Sequence, residues 1–365
     1  MPSISVVIPT FRRPRYLAQA LASILAQRLP DDVDLEVLVC DNAGSQETAD
    51  LVTSTGDARI VHVRRPHDLG MMRNAVDGFT QARGDYVLKF DDDDLLHPDA
   101  LAELVAPFRR QPDLALTFAS FDLVDEHGQL LAERTSANEI HSGRAQLTAG
   151  RYEPFDRLVV SGAVGMVCAL VRRDTVDFAD MPEDVATAYD RHIALQSARH
   201  GAAAWYVDRT LASYRLHARS DSVLALTRQS LGSLRATERA LEARDHADRR
   251  VLLDEAQQAA LRAARLLLRE DPGPGPAGGD IRAQDRHVGH AEETARRILW
   301  RALRRRRDPA LLRLGALALL PRQIARPIAR RRLERHERHV RLVAGTSGVT
   351  SPAQGPGPMP QPRVE

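Results

Sequence analysis

The stretch GDYVLKFDDDDLLHPD, Gly84 to Asp99, sets four adjacent carboxylates directly behind an apolar run. Tyr86 to Phe90 has the length and composition of a buried strand, and Leu95, Leu96 and Leu101 are spaced to pack beneath a following turn and helix. Asp91 to Asp94 therefore fall at the C-terminal edge of a strand. Like charges this close repel, and either full solvation or a bound divalent cation relieves them; oxygen ligands suit Mg²⁺ or Mn²⁺. An isolated acidic run is more often a solvated loop tip. Position argues otherwise here, because ligands of open α/β sheets bind beyond the strand C-termini, and other strand ends of this chain carry matching chemistry.

The chain upstream repeats strand, turn and helix. Ser3 to Ile8 is apolar and is followed by the polar turn FRRPR. Leu17, Ala20, Leu21, Ile24 and Leu25 then recur at helical spacing within Tyr16 to Gln27. Leu35 to Cys40 reads as a second strand, Gln46 to Ser54 as a helix and Arg59 to Val63 as a third strand. Gly70 to Arg83 reads as a helix with Met72, Ala75, Val76 and Phe79 inward. This alternation predicts an α/β fold, a mostly parallel sheet with helices on both faces. Beyond Asp99 a helix to about Arg110 and a strand over Leu114 to Phe118 are expected. Phe121 to Val124 and Gln129 to Ala132 read as a hairpin, and Glu133 to Tyr152 as a mobile loop. Ala163 to Val171 reads as a central strand, Asp190 to His200 as a helix stopped by Gly201, and Ala203 to Val207 and Leu211 to Leu216 as two strands.

From residue 226 the pattern becomes helical only, so 1–225 is expected to be the main domain and 226–270 a helical pair. Pro and Gly make 271–280 a linker. Residues 281–343 read as a basic amphipathic helical region and 344–365 as a disordered tail. Between Arg296 and Leu342 there are 16 arginines against three acids, with Ile298, Trp300, Leu303 and the run from Leu311 supplying apolar faces. Such a segment is expected to lie on an anionic membrane surface; the competing reading is that its helices simply pack on the main domain with arginines outward, and nucleic-acid binding would call for interleaved aromatics. The chain's net charge is only +2, and Lys89 is its sole lysine. Cys40 and Cys168 make no spaced motif, which disfavours a disulfide framework or zinc cluster. The first residues lack a signal peptide's charged start, and no apolar run approaches the roughly 18 residues of a membrane span. The expected location is cytoplasmic, with peripheral attachment to the inner face of the membrane.

Three further polar clusters follow the strands: Thr10-Phe11-Arg12-Arg13, Asp41-Asn42-Ala43-Gly44-Ser45, and Arg73-Asn74 on the helix before the acids. Parallel strand ends converge on one crevice. Acids for a metal, arginine for phosphate and a strand-end aspartate for a base or ribose together describe a nucleotide-diphosphate site. Singly, Arg73 is more often a surface residue, Asp41 a helix cap and Thr10 a turn residue. Neither GxGxxG after the first strand nor GxxxxGK[ST] anywhere is present, which removes the dinucleotide-binding and P-loop readings.

VVIPTFRR, LVCDNAGSQET, LGMMRNAVDGF and GDYVLKFDDDDLLHPDAL, in this order and spacing, resemble the nucleotide-sugar-binding half of family 2 glycosyltransferases with the GT-A fold. The resemblance runs from Ser3 to about Leu104 and continues more weakly through YDRHIALQSARHG and YRLHARSDS. It implies a GT-A type, mostly parallel, Rossmann-like sheet flanked by helices, with an all-α C-terminal appendage. By position, Asp93 matches the family's metal aspartate, with Asp91 and Asp92 near the ribose and metal shell. Asp41 matches the nucleobase contact, Pro9, Thr10 and Arg12 line its pocket, and Arg73 matches a diphosphate contact. His217 stands where a histidine approaches the metal or pyrophosphate, and Asp190 where the family places its general base. Two departures matter: Asn42 replaces an acid, and Tyr189 precedes Asp190, which leaves Glu183 and Asp184 as rivals for the base.

What the resemblance implies is an inverting transfer, dependent on Mn²⁺ or Mg²⁺, from a nucleotide-diphosphate sugar to a glycan, lipid-linked or small-molecule acceptor. One carboxylate takes a proton and a cation meets leaving-group charge. Two rivals stay open: a sugar-phosphate nucleotidyltransferase, and an inactive GT-A-like binding protein docking through its arginine-rich region.

Overall fold

The computed structural model describes residues 1–217, 226–269, 294–304 and Met359. Its first half alternates as the sequence predicts. β1 (Ser3–Thr10), α1 (Pro14–Leu25), β2 (Asp34–Asp41), α2 (Gln46–Thr55), β3 (Ile60–Arg64), α3 (Met71–Gln81) and β4 (Tyr86–Lys89) follow in turn. β1 pairs in parallel with both β2 and β4, and β2 with β3. Register places Thr10 opposite Asp41 and Val7 opposite Lys89, so three strands end along one edge. β1 is apolar on both faces because both are covered. Val7 joins the core under α3, whereas Ile4, Val6 and Ile8 join Leu17, Leu21 and Ile24 of α1. α3 can lie this close because position 78 is glycine: a Cβ there would stand 2.4 Å from Cys40 Sγ. Cys40 and Cys168 are free and buried.

The second half departs from expectation in four places. After β5 (Leu95–Leu96) and α4 (Ala100–Arg110), strand β6 runs unbroken over Leu114–Val124, and of the expected hairpin only an isolated antiparallel bridge from Val124 to Leu130 exists. The stretch read as a mobile loop holds α5 (Ala132–Ser142) and β7 (Gly150–Tyr152). Its polarity serves burial: Arg144 is 1% exposed, donates to Glu139, Asn138 and the Ala163 carbonyl, and lies over the Phe121 ring. After α6 (Asp156–Ser161), the expected strand over Ala163 to Val171 is reduced to β8 (Ala169–Arg172), antiparallel to both β4 and β6. α7 (Tyr189–Ser197) leads into β9 (Ala203–Arg215), one strand where two were expected, bridged across an exposed Asp208-Arg209-Thr210 with register shifts against β6.

The nine strands form one sheet in the order β3-β2-β1-β4-β8-β6-β9-β5, with β7 on β9. Helices α8 (Leu226–Ala243) and α9 (Arg249–Arg269) pack together and onto the sheet domain. Residues 294–304 are helical and bury Ala295, Ile298, Leu299 and Ala302 against α8 and α9. Over this stretch Ile298 and Leu303 thus face protein and not lipid, leaving Arg297, Trp300 and Arg304 outward, while Arg301 donates to Glu238 of α8 at 3.2 Å. The linker read at 271–280, the remainder of the basic region and the tail other than Met359 lie outside the described residues. No helix among the described residues is long and apolar enough to cross a membrane.

Candidate active site

Because β4 ends at Lys89, the four aspartates form the turn that follows it, directly beside the end of β1. Each acid has a different set of partners, with Arg13 shared between Asp92 and Asp93. Asp91 takes the Lys89 ammonium at 2.5 Å. Asp92 accepts the Thr10 hydroxyl at 2.7 Å and, from 3.4 Å, the Arg13 guanidinium. Asp93 Oδ2 accepts from Arg13 at 3.1 Å and lies 2.8 Å from His217 Nε2. Asp94 receives the Arg215 backbone N–H at 2.9 Å, while its other oxygen is buried without a partner.

These contacts explain how distant strands meet. Arg215, at the end of β9, also donates to the Asp93 carbonyl, the Glu126 carbonyl and Gln19, and lies over the Tyr16 ring. That staple delivers His217, whose ring stacks on Tyr16 at 5.3 Å, to Asp93. Crowding in a poorly solvated turn leaves its mark on the acids. Burial, then the Asp93 charge, pushes Asp92 up to about 7. Burial, then the Asp91 charge, raises both Asp93 and Asp94, the latter well above the carboxylate range.

At the end of β2, Asp41 is fully buried; His62 Nε2 lies 3.3 Å from one carboxylate oxygen and the other has no partner. It does not cap α2: Ser45 does, accepting the Thr48 N–H at 3.1 Å. Asn42, in the place of an acid, donates to Asp68 and accepts from the Leu69 N–H, which fixes the loop before α3. Pro9 and Thr10 end β1. Arg12 has φ +55° and turns onto the Phe11 ring, while its neighbour Arg13 enters the acid cluster. Arg73 is exposed on the first turn of α3.

Asp190 sits on the first turn of α7, half-buried, with Oδ1 accepting the Arg191 N–H at 2.6 Å. Burial raises its pKa, opposed by the Lys89 charge. Lys89 itself is held well above its usual range: burial opposes its charge, but Asp91, Tyr189 and Asp190 outweigh it. Its ammonium lies 5.9 Å from the Tyr189 ring centroid, between the acid turn and α7. Of the rival bases, Asp184 is exposed and paired with Arg239 of α8, and Glu183 is exposed beside it.

The structure thus gathers Thr10, Asp91, Asp92, Asp93 and His217 directly, with Asp41 beside Thr10 in register and Asp190 across Lys89. Arg13, Lys89, Arg215 and Tyr16 complete the site and were not singled out from sequence as site residues. The lone lysine in an apolar strand was the available signal for Lys89; adjacent arginines gave none for choosing Arg13 over Arg12.

A mostly parallel α/β sheet with an acid turn at its strand ends and helices closing the far side defines a GT-A type fold. Solved structures agree. S. aureus TarS 1–349 in complex with UDP-GlcNAc superposes with a TM-score of 0.60 at 14% identity, covering 93% of this chain and 92% of that one. A mannosyltransferase from Pyrobaculum calidifontis in complex with GDP-Man and Mn²⁺ gives 0.52 at 19%, covering 87% and 86%. Residues 5–167, a little under half of the chain, match the model of Glycosyl transferase family 2. An abequosyltransferase of Salmonella typhimurium is 35% identical over 31% of this chain and 34% of its own length. A GalNAc(5)-diNAcBac-PP-undecaprenol beta-1,3-glucosyltransferase of Campylobacter jejuni is 37% identical over 29% and 34%. The chain thus spans about a third of the length of these curated relatives.

Proposed function

We propose that this protein transfers a glycosyl group from a nucleotide-diphosphate sugar to an acceptor hydroxyl, with inversion at the anomeric carbon. The observation that carries the reading is the acid turn at the strand ends facing a separate carboxylate, Asp190, with the buried Lys89 between them. Asp41, with one buried oxygen unpartnered, is suited to accept an N–H from the nucleobase, beside Pro9 and Thr10. Arg12 lines the same pocket, Asp91 and Asp92 stand toward the ribose, and Arg73 supplies exposed charge for the diphosphate. Asp190 takes the acceptor hydroxyl proton as that oxygen bonds to the anomeric carbon. The bond from that carbon to the diphosphate oxygen breaks on the opposite face, its electron pair leaving with the nucleotide.

The residues fit a divalent cation such as Mn²⁺ or Mg²⁺. Among the described residues no three ligand side chains form a closed cage, but Mg²⁺ is normally held by one or two carboxylates plus substrate phosphates. Asp93 and His217, whose ligand atoms lie 2.8 Å apart, would hold the ion. When bound it supplies positive charge against the departing diphosphate. Arg13 shares the same Asp93 oxygen and contributes a fixed cation there.

Calorimetric titration with UDP, TDP and GDP, with and without Mn²⁺ or Mg²⁺, tests the proposal. One nucleotide should bind, more tightly with metal, and its sugar conjugate should be turned over. Asp93→Ala should lose the metal-dependent part while keeping its melting temperature, since it relieves a crowded buried charge. Absence of binding to all three overturns the function; Asp93→Ala binding as tightly as the parent with Mn²⁺ overturns the metal assignment.

An anionic membrane surface as a further partner is favoured by one feature, the outward face of 294–304, where Trp300 stands with Arg297 and Arg304. A tryptophan flanked by cations suits the headgroup level. A lipid-linked acceptor is consistent with such a face.

A further inference from the structure

α7, which carries Asp190, is held from outside the sheet. Arg191 Nη2 donates to Glu255 Oε1 of α9 at 2.8 Å and to the Val160 carbonyl at 3.2 Å. Both charged side chains are largely buried, at 17% and 12% exposure. The segment Glu183–Ala188, which leads into α7, lies on α8. There a Cβ on Gly232 would stand 2.2 Å from the Val185 carbonyl oxygen, so any larger residue forces the two apart. Arg239 donates to Asp184 from the same helix at 3.0 Å. Beyond the far end of α7, the Asp245 carbonyl accepts the His200 N–H at 2.6 Å and its carboxylate pairs with Arg199 at 2.8 Å.

We propose that the Arg191–Glu255 ion pair is the positioning device for the Asp190 carboxylate, which makes α8 and α9 the acceptor-side wall of the site. The inference rests on the reading of Asp190 as base. Its physical basis is short: the backbone N–H that fixes Asp190 Oδ1 belongs to Arg191, whose side chain is anchored only 2.8 Å from α9. A freed Arg191 lets the first turn of α7 drift, and the carboxylate drifts with it. The donor-side groups Thr10, Asp41, Asp93 and His217 stand on other elements and stay in place. The defect therefore belongs in turnover and not in donor binding.

The assay is nucleoside-diphosphate release from the UDP-, TDP- or GDP-sugar that the protein turns over, with water as acceptor. Glu255→Leu removes both the charge and the acceptor oxygen; kcat should fall about tenfold or more, since small misplacements of catalytic groups cost up to ~10²-fold. Donor KM should stay within about twofold. Arg262→Gln removes the other partner of Glu255, at 2.7 Å on the exposed side, and should leave kcat at the parent value. The proposal is overturned if Glu255→Leu keeps kcat within about twofold of the parent. Should Glu255→Leu not fold, Glu255→Asp, too short to reach Arg191 in the same geometry, carries the same test. Full kcat in Asp190→Asn would sink the base assignment itself, whatever Glu255 does.

Discussion

Replacing Lys89 with methionine removes a side chain that faces both the acid turn and Asp190. The side chain is 10% exposed, and its ammonium stands 2.5 Å from an Asp91 oxygen and 5.9 Å from the Tyr189 ring. Breaking a buried pair from one side costs about 3–5 kcal/mol, because the other charge is left behind. Asp91 is 33% exposed and regains part of its hydration, so the estimate drops to about 2–3 kcal/mol. For a domain of this size that is a fall of about 5 to 10 °C in melting temperature. Adding Asp91→Asn removes the stranded charge and should return most of the loss. Activity carries a second signature. Burial raises the pKa of Asp190 and Lys89 opposes the rise; without Lys89 the carboxyl climbs further, and the acid limb of the kcat profile moves to higher pH. Circular-dichroism melts of the single and double variants, with kcat followed across pH, measure both. A single variant melting within about 2 °C of the parent, or an acid limb that stays put, refutes the reasoning.

Asp190→Asn retains the acceptor oxygen for the Arg191 N–H but cannot take a proton. Turnover should fall by about 10² with nucleotide binding unchanged; near-normal turnover under steady-state assay would remove Asp190 from the chemistry. His192, also on α7, is depressed to about 4, chiefly by burial and then by Arg239 and Arg199. Its unfolded value is about 6.5, so stability from this group is complete above that pH and is lost as pH falls toward about 4, by about 3 kcal/mol. Denaturant midpoints across that window should slope less in His192→Gln than in the parent; equal slopes refute the assignment. Full-length protein should sediment with anionic vesicles at low salt and be released at high salt, with Arg297→Gln and Arg304→Gln together weakening it by about 1 kcal/mol per arginine; equal partitioning of the two proteins ends the membrane reading.

The parallel half of the sheet was legible because each strand there is an apolar run with a polar turn behind it, and chain direction alone brings such turns to one edge. Beyond Leu114 the same rule misled. Glu133 to Tyr152 is polar, yet Arg144 is among the most buried residues, since its partners Glu139, Asn138 and the Ala163 carbonyl surround it only in three dimensions. β9 was divided at Asp208-Arg209-Thr210 because three polar residues resemble a turn, whereas the strand continues through an irregular register against β6. Ala163 to Val171 is apolar throughout, but a Cβ on Gly165 would stand only 2.3 Å from the Phe121 ring, and the chain there folds into a short 3-10 turn (Met166–Cys168) before β8 begins. Apolar content reports burial. It does not report direction, and β8 runs antiparallel.

The site was legible in kind but not in assignment, for one physical reason. Four consecutive carboxylates cannot share one environment on a tight turn, so each must find its own neighbour, and those neighbours come from remote parts of the chain. Lys89 arrives from the strand below, Thr10 and Arg13 from the end of β1 and the turn behind it, and His217 and Arg215 from the end of β9. Sequence shows the acids but not which cation reaches which oxygen. Arg12 and Arg13 illustrate this: a positive φ at Arg12 sends one guanidinium onto Phe11 and the other into the cluster. Of the rival acids, Asp184 is held against α8 by the Arg239 guanidinium, a contact outside the motif. The reading of Asp190 as base leans on the helical pair packed behind α7, a region that the family resemblance does not cover.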